Sequence, residues 1–127
     1  MKAILLVALL AASLPAFSRQ YIQCGSSNSW DRAVVNLNGD QSTLFMTTGL
    51  GDPNELRILK DLYFDSETDT DLIYKTNQGP IVDYVSVPKS VIGKYSNYFI
   101  VSMTLVNTQS GYSSTREMSC YSAIYND

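Results

Sequence analysis

LRILKDLYF, residues 56–64, decides between two folds. Leu56, Ile58, Leu62 and Phe64 recur at even spacing, interrupted by Lys60, as the apolar face of a strand does. Leu56, Leu59 and Tyr63 would instead share one face of a helix. Upstream, Asp52-Pro53-Asn54-Glu55 has the form of a helix start, with Asp52 as N-cap, Pro53 at the first helical position and Glu55 three residues after the cap. The alternating residues run straight into the acidic segment 65–71, and we read a strand over about 56–64, which makes the chain all-β. A short helix near 53–63 would make it α+β.

The flanking segments repeat the period of two, separated by clusters of Gly, Asn, Asp, Ser and Pro. Segments 20–24, 32–37, 43–47, 72–76, 81–87, 98–106 and 115–125 read as further strands. Asn38-Gly39-Asp40 predicts a tight hairpin between 32–37 and 43–47, because Asn-Gly readily supplies the pair of positive φ angles that such a turn requires. In 81–87, Ile81, Asp83, Val85 and Val87 share one face against Val82, Tyr84 and Ser86. Pro88 disfavours a central strand and Gly93 ends any helix, so 88–94 is predicted to be a loop or one helical turn. Seven or eight short strands with short connections favour antiparallel neighbours, in a small antiparallel β-barrel or a two-layer sandwich.

The first eighteen residues, MKAILLVALLAASLPAFS, carry one charge at Lys2, an apolar run over 3–12, then proline and small residues. That is the pattern of a secretory signal peptide, with Ala16 and Ser18 suiting the cleavage site. The run is too short for a bilayer span, which needs about 20 apolar residues. No cysteine follows closely enough for a lipid anchor. Residues 19–127 are then expected to form a single secreted or periplasmic β-domain. Cys24 and Cys120, the two cysteines, are expected to pair in that compartment, joining the first and last strands. Such a bond would restrict the unfolded chain by roughly 4 to 5 kcal/mol in the chain-entropy account. It also favours the barrel, since closure removes exposed strand edges.

Residues 19–127 hold eight Lys and Arg against twelve Asp and Glu, and the basic residues do not cluster. Nucleic acid is therefore not an expected partner. The chain has no histidine, which removes the commonest general base, the Ser-His and Cys-His pairs and the commonest zinc ligand. Ser86-Val87-Pro88-Lys89 matches S-x-x-K by spacing alone, because Pro88 works against the helical turn that would bring Ser86 to Lys89. Asp31, Asp40, Asp61 and Asp83 could contribute to a carboxylate pair, but the sequence pairs none of them. No cofactor is expected.

DSETDTD, residues 65–71, sets Asp65, Glu67, Asp69 and Asp71 on alternate positions, as some calcium loops array their ligands. An EF-type loop needs Gly at its sixth position and Glu at its twelfth, and Thr70 and Thr76 stand there. The stretch reads as a solvated hairpin connection, with weak calcium binding or contact with a basic partner as the alternatives. Alternation would put all four acids on one solvent side.

Eight of the nine tyrosines follow residue 60. Tyr offers a large ring with a polar tip at low entropic cost, so Tyr84 with Tyr98, or Tyr121 with Tyr125, are candidate recognition surfaces. Trp30 reads as a plug at a barrel end. In architecture the chain resembles small exported bacterial β-barrels, among them the periplasmic inhibitors of c-type lysozyme, through Tyr21-x-x-Cys24, about eight strands and the late Cys120. The inhibitors' Ser-Gly-x-x-Tyr loop is represented only by the fragment Ser110-Gly111-Tyr112. The expected function is a non-enzymatic binding or inhibitor-like module that presents loops and tyrosine-rich faces to a protein or glycan. A small carboxylate-based hydrolase and a structural envelope-associated protein are the alternatives.

Overall fold

Eight strands, each hydrogen-bonded antiparallel to the next and the last to the first, close into a barrel in the computed structural model. The structure describes residues 18–25, 32–48, 56–77 and 79–126. In order, the strands are β1 (Ser18–Gly25), β2 (Arg32–Leu37), β3 (Thr43–Thr48), β4 (Leu56–Glu67), β5 (Asp71–Thr76), β6 (Ile81–Pro88), β7 (Ser96–Asn107) and β8 (Ser113–Asn126). The segment that decided the fold is thus a strand, longer than the alternation alone suggested. The barrel is chosen over the sandwich. The signal sequence read in 1–18 falls, apart from Ser18, outside the described residues, as does Trp30.

One side chain in two points inward, and the inward set forms the core. Ile22 and Cys24 of β1, Ala33 and Val35 of β2, Leu44 of β3 and Leu62 of β4 are all buried. So are Thr76 of β5, Val85 and Val87 of β6, Val101 and Met103 of β7, and Met118 and Cys120 of β8. The registers bring these together across neighbouring strands: Ile22↔Val35, Val35↔Leu44, Leu62↔Thr76, Val85↔Met103 and Val101↔Met118. A strand shifted by one residue would turn its whole apolar set to solvent, so burial fixes these pairings.

The seam is closed by the Cys24–Cys120 disulfide, at directly opposed positions of β1 and β8 with Cα atoms 4.1 Å apart. The bond fits an oxidising, extracytoplasmic environment. Among the described residues no helix is long and apolar enough to cross a membrane.

Three local expectations are corrected. The Asn38-Gly39 turn is not the two-residue type: Asn38 has φ −143° and only Gly39 is positive, at 55°. Residues 38–42 make a short 3-10 turn in which the Ser42 hydroxyl accepts from the Asn38 N–H at 3.0 Å and donates to the Gly39 carbonyl at 3.1 Å. The serine satisfies the backbone groups that a tighter turn would have paired directly. Second, β4 and β5 shift register between Phe64 and Ser66, so the acids of 65–71 do not stay on one side. Third, β7 shifts between Ser96 and Phe99, where Tyr98 takes φ 58°. No glycine signals either irregularity.

One end of the barrel is plugged. After β6, a 3-10 turn over Lys89–Val91 buries Val91 beneath the strand ends. Gln20, itself buried, donates from Nε2 to the carbonyls of Val91 (2.7 Å) and Lys94 (3.3 Å) and accepts from the Gly93 N–H at 3.0 Å. Ser122 donates to the Lys94 carbonyl at 2.8 Å and accepts from the Ser96 N–H at 3.1 Å. The plug's polar backbone is thereby satisfied by two inward side chains, as burial demands.

Candidate functional site

At the opposite end the described residues enclose a hollow. There the ends of β1, β3, β5 and β7 and the starts of β2, β4, β6 and β8 surround a cavity of about 430 Å³. Eight-stranded barrels are just wide enough either to be filled by side chains or to hold one small ligand, and this one is filled below and hollow above. Of the connections at this end, 79–80 and 108–112 are described and tied together, Thr108 donating from both its N–H and its hydroxyl to the Pro80 carbonyl at 2.9 Å.

The cavity wall is mostly apolar: Ala33, Met46, Ile58, Ile81, Met103, Leu105 and Met118. Every methionine after Met1 is in that set. Methionine is unbranched and polarisable, and it adapts to ligands of different shape. Alternation explains why these residues meet: Met103, Leu105 and Val101 share the inward face of β7, and Ile81, Asp83 and Val85 that of β6.

Four charged side chains belong to the same wall. Lys60 of β4 and Asp83 of β6 reach across the intervening β5 to form an ion pair of 2.8 Å, with side chains only 14% and 7% exposed. The Asp83 N–H donates to the buried Thr76 hydroxyl at 2.9 Å, which fixes the backbone under the carboxylate. A buried carboxylate requires such a partner, and the pair sets a polar spot on an otherwise apolar wall. Arg116 lies two residues before Met118 and so on the inward side of β8. Arg32, at the start of β2, completes the rim with Tyr112 and Ser114. Thr47, opposite Arg32 in register, is buried, lines the cavity and has a hydroxyl with no hydrogen-bond partner.

The residues expected from sequence to form a site lie elsewhere. Tyr84 is half-buried on the outside of β6, opposite Lys75 and Thr104, while Tyr98 is exposed at the plugged end of β7. Six residues of strand, roughly 20 Å, separate Thr104 from Tyr98, so that pair does not form one surface. Instead the Phe99↔Cys120 register sets the backbone of Tyr98 beside that of Tyr121. The Tyr121 hydroxyl donates to Gln23 Oε1, and both residues line a shallow outer groove of about 260 Å³ over β8, β1 and β2. Tyr125 is paired with Arg19 by its backbone, and its side chain lies outside the described residues.

The four acids are dispersed. Asp65 pairs with Lys75 at 3.3 Å, Glu67 with Lys89 at 2.7 Å, and Asp71 accepts from the Ser86 hydroxyl at 2.7 Å, while Asp69 sits in the exposed turn between β4 and β5. Among the described residues no three His, Cys, Asp or Glu side chains converge as a metal site requires.

Sequence reasoning missed the cavity. Alternation sets Asp83 on one face with Ile81, Val85 and Val87, but nothing in the spacing joins it to Lys60. The available signal was the methionines, each of them inward in its strand. In comparisons with known proteins, no family model, no curated protein and no solved structure matches this chain. Fold and cavity alone define its class: an eight-stranded up-and-down barrel, plugged at one end and hollow at the other.

Proposed function

We propose that the protein is an exported binding protein that takes a small, largely apolar molecule into the mouth of its barrel. One observation carries this reading: a preformed cavity of about 430 Å³, apolar on most of its wall and carrying a few fixed polar groups. Small-molecule sites have this character, with volumes of about 300–1,000 Å³ and a few polar groups that orient the ligand. The reading keeps the expected class, a non-enzymatic binding module, and moves the site from the outer tyrosines to the interior. Asp83 is the one carboxylate among the described lining residues, and Lys60 neutralises it. The cavity thus supports binding better than the two-carboxylate hydrolase.

Titration of the folded protein with the neutral, environment-sensitive dye N-phenyl-1-naphthylamine tests it. Saturable fluorescence enhancement is expected, with a stoichiometry of one and competition by alkyl-chain compounds. Ile81→Trp, which fills the cavity from the β6 wall, should remove the enhancement with the thermal midpoint nearly unchanged. Absence of saturable binding, or equal binding by Ile81→Trp, would overturn the reading.

A further inference from the structure

Resting on that reading, we infer that the ligand is a neutral amphiphile with a hydroxyl head, and that the head enters first, to the Lys60–Asp83 ion pair on the cavity wall. Alternation sets the depth of this pair. On β4, Lys60 stands between Leu62, which is buried in the core, and Ile58 at the mouth. On β6, Asp83 stands likewise between the fully buried Val85 and Ile81 of the lining. The polar spot therefore lies at the floor of the hollow, with apolar wall above it.

The pair has hydrogen-bonding capacity to spare. Its one bond joins an ammonium N–H of Lys60 to Oδ2 of Asp83 at 2.8 Å, and among the described residues neither side chain makes another. An ammonium has three donors and a carboxylate two acceptor oxygens, so two N–H groups and Oδ1 remain for a ligand. The other cations of the wall add no charge to this spot: Arg32 and Arg116 are engaged in interactions of their own, and Arg32 lies along the outer face over Gly25. A head group at the pair thus meets one charge of each sign. An anion there is set against Asp83 and a cation against Lys60, whereas a hydroxyl accepts from the ammonium and donates to Oδ1. An ether oxygen meets only the first of these two demands. Above the pair, Met46, Met103 and Met118 offer a pliable wall to the apolar body.

The test compares 1-octanol with its isomer 1-methoxyheptane, which accepts a hydrogen bond but has none to donate, and with octanoate and octylammonium. Each displaces N-phenyl-1-naphthylamine from the full chain. Octanol is expected to bind about tenfold more tightly than the ether, as a hydrogen bond donated to a sheltered carboxylate implies. Both ions should bind more weakly than octanol. In the double variant Lys60→Met with Asp83→Leu the ratio of alcohol to ether affinity should fall towards one. Apolar replacement of a buried ion pair is commonly neutral or stabilising, and circular dichroism verifies the fold. Equal affinity for alcohol and ether, tighter binding of either ion than of octanol, or a full ratio in the double variant would each overturn the head-group assignment while leaving the cavity reading in place. If neither the dye nor any of the four ligands binds, the cavity reading itself falls. The wild-type comparison needs no variant, so a misfolded substitution leaves the inference open to refutation.

Discussion

At the plugged end of the barrel a turn is buried beneath the strand ends and held by hydrogen bonds, whereas at the mouth the same alternation of side chains leaves a hollow. Val91 fills the axis below, and Gln20 and Ser122 satisfy the carbonyls and N–H groups of the segment that carries it. Above, Ile58, Ile81 and Leu105 stand round a void among the described residues. The inward positions have the same period in both halves, so periodicity does not distinguish them. Among the described residues the difference is the segment 89–95, which crosses the strand ends at the plugged end. Stability is expected to reside in the plugged half and at the seam, and ligand recognition in the open half.

That division can be broken by substitution, and the largest effect belongs to the seam that both halves share. Replacing Cys24 and Cys120 together by alanine should cost about 4 kcal/mol of unfolding free energy, read by denaturant titration, because the bond closes a loop with a sequence separation of 96. Next is the core below the cavity. Leu44→Ala, at a fully buried position, should cost roughly 2–5 kcal/mol. Ile58→Ala at the half-open mouth should cost less than about 1 kcal/mol, since 39% of that residue is already exposed. Equal losses at the two positions would refute the division.

The plug itself comes third. Gln20→Ala should cost about 2 kcal/mol by leaving the Gly93 N–H without a partner and the Val91 carbonyl with the Lys94 N–H alone, and hydrogen exchange should accelerate locally over 89–95. If exchange quickened as much over 108–112 at the mouth, the two ends would be one cooperative unit.

The smallest effect concerns Tyr74, which meets Phe64 edge-on with ring centroids 5.9 Å apart. Burial raises its hydroxyl pKa above the ordinary 10.0 by disfavouring the phenolate. A pKa that is higher folded than unfolded gives stability that is fully present below pH 10 and is lost as pH rises through the folded value. Tyr74→Phe should leave stability at pH 7 within about 0.5 kcal/mol of the parent and flatten its decline above pH 10. An unchanged alkaline decline would assign it to other groups.

Much of this barrel was legible in the residues. The inward face of β6, Asp83 included, follows from period two, and the seam follows from two cysteines near the two ends. From Leu56 onward the strand reading holds, with Leu62 burying a side chain that the alternation already demanded, while the helix-start pattern at 52–55 lies outside the described residues. The bulges at Phe64/Ser66 and Ser96/Phe99 were not legible, since they arise from fitting long strands round a closed ring and leave no glycine behind. Nor was the Lys60–Asp83 pair, whose members are 23 residues and one whole strand apart. Which tyrosines share a surface was not legible for a related reason. Their faces are set by register, and Tyr98 lies in a bulge that alternation cannot foresee.

The seam bond has a mechanical consequence. With Cys24 joined to Cys120, tension applied between the two termini enters along β1, crosses the sulfur atoms and leaves along β8. The chain from Arg32 to Met118, which contains every described residue of the cavity wall, lies off that path. Load applied at the ends of the chain would therefore pass through the bond without reaching the cavity.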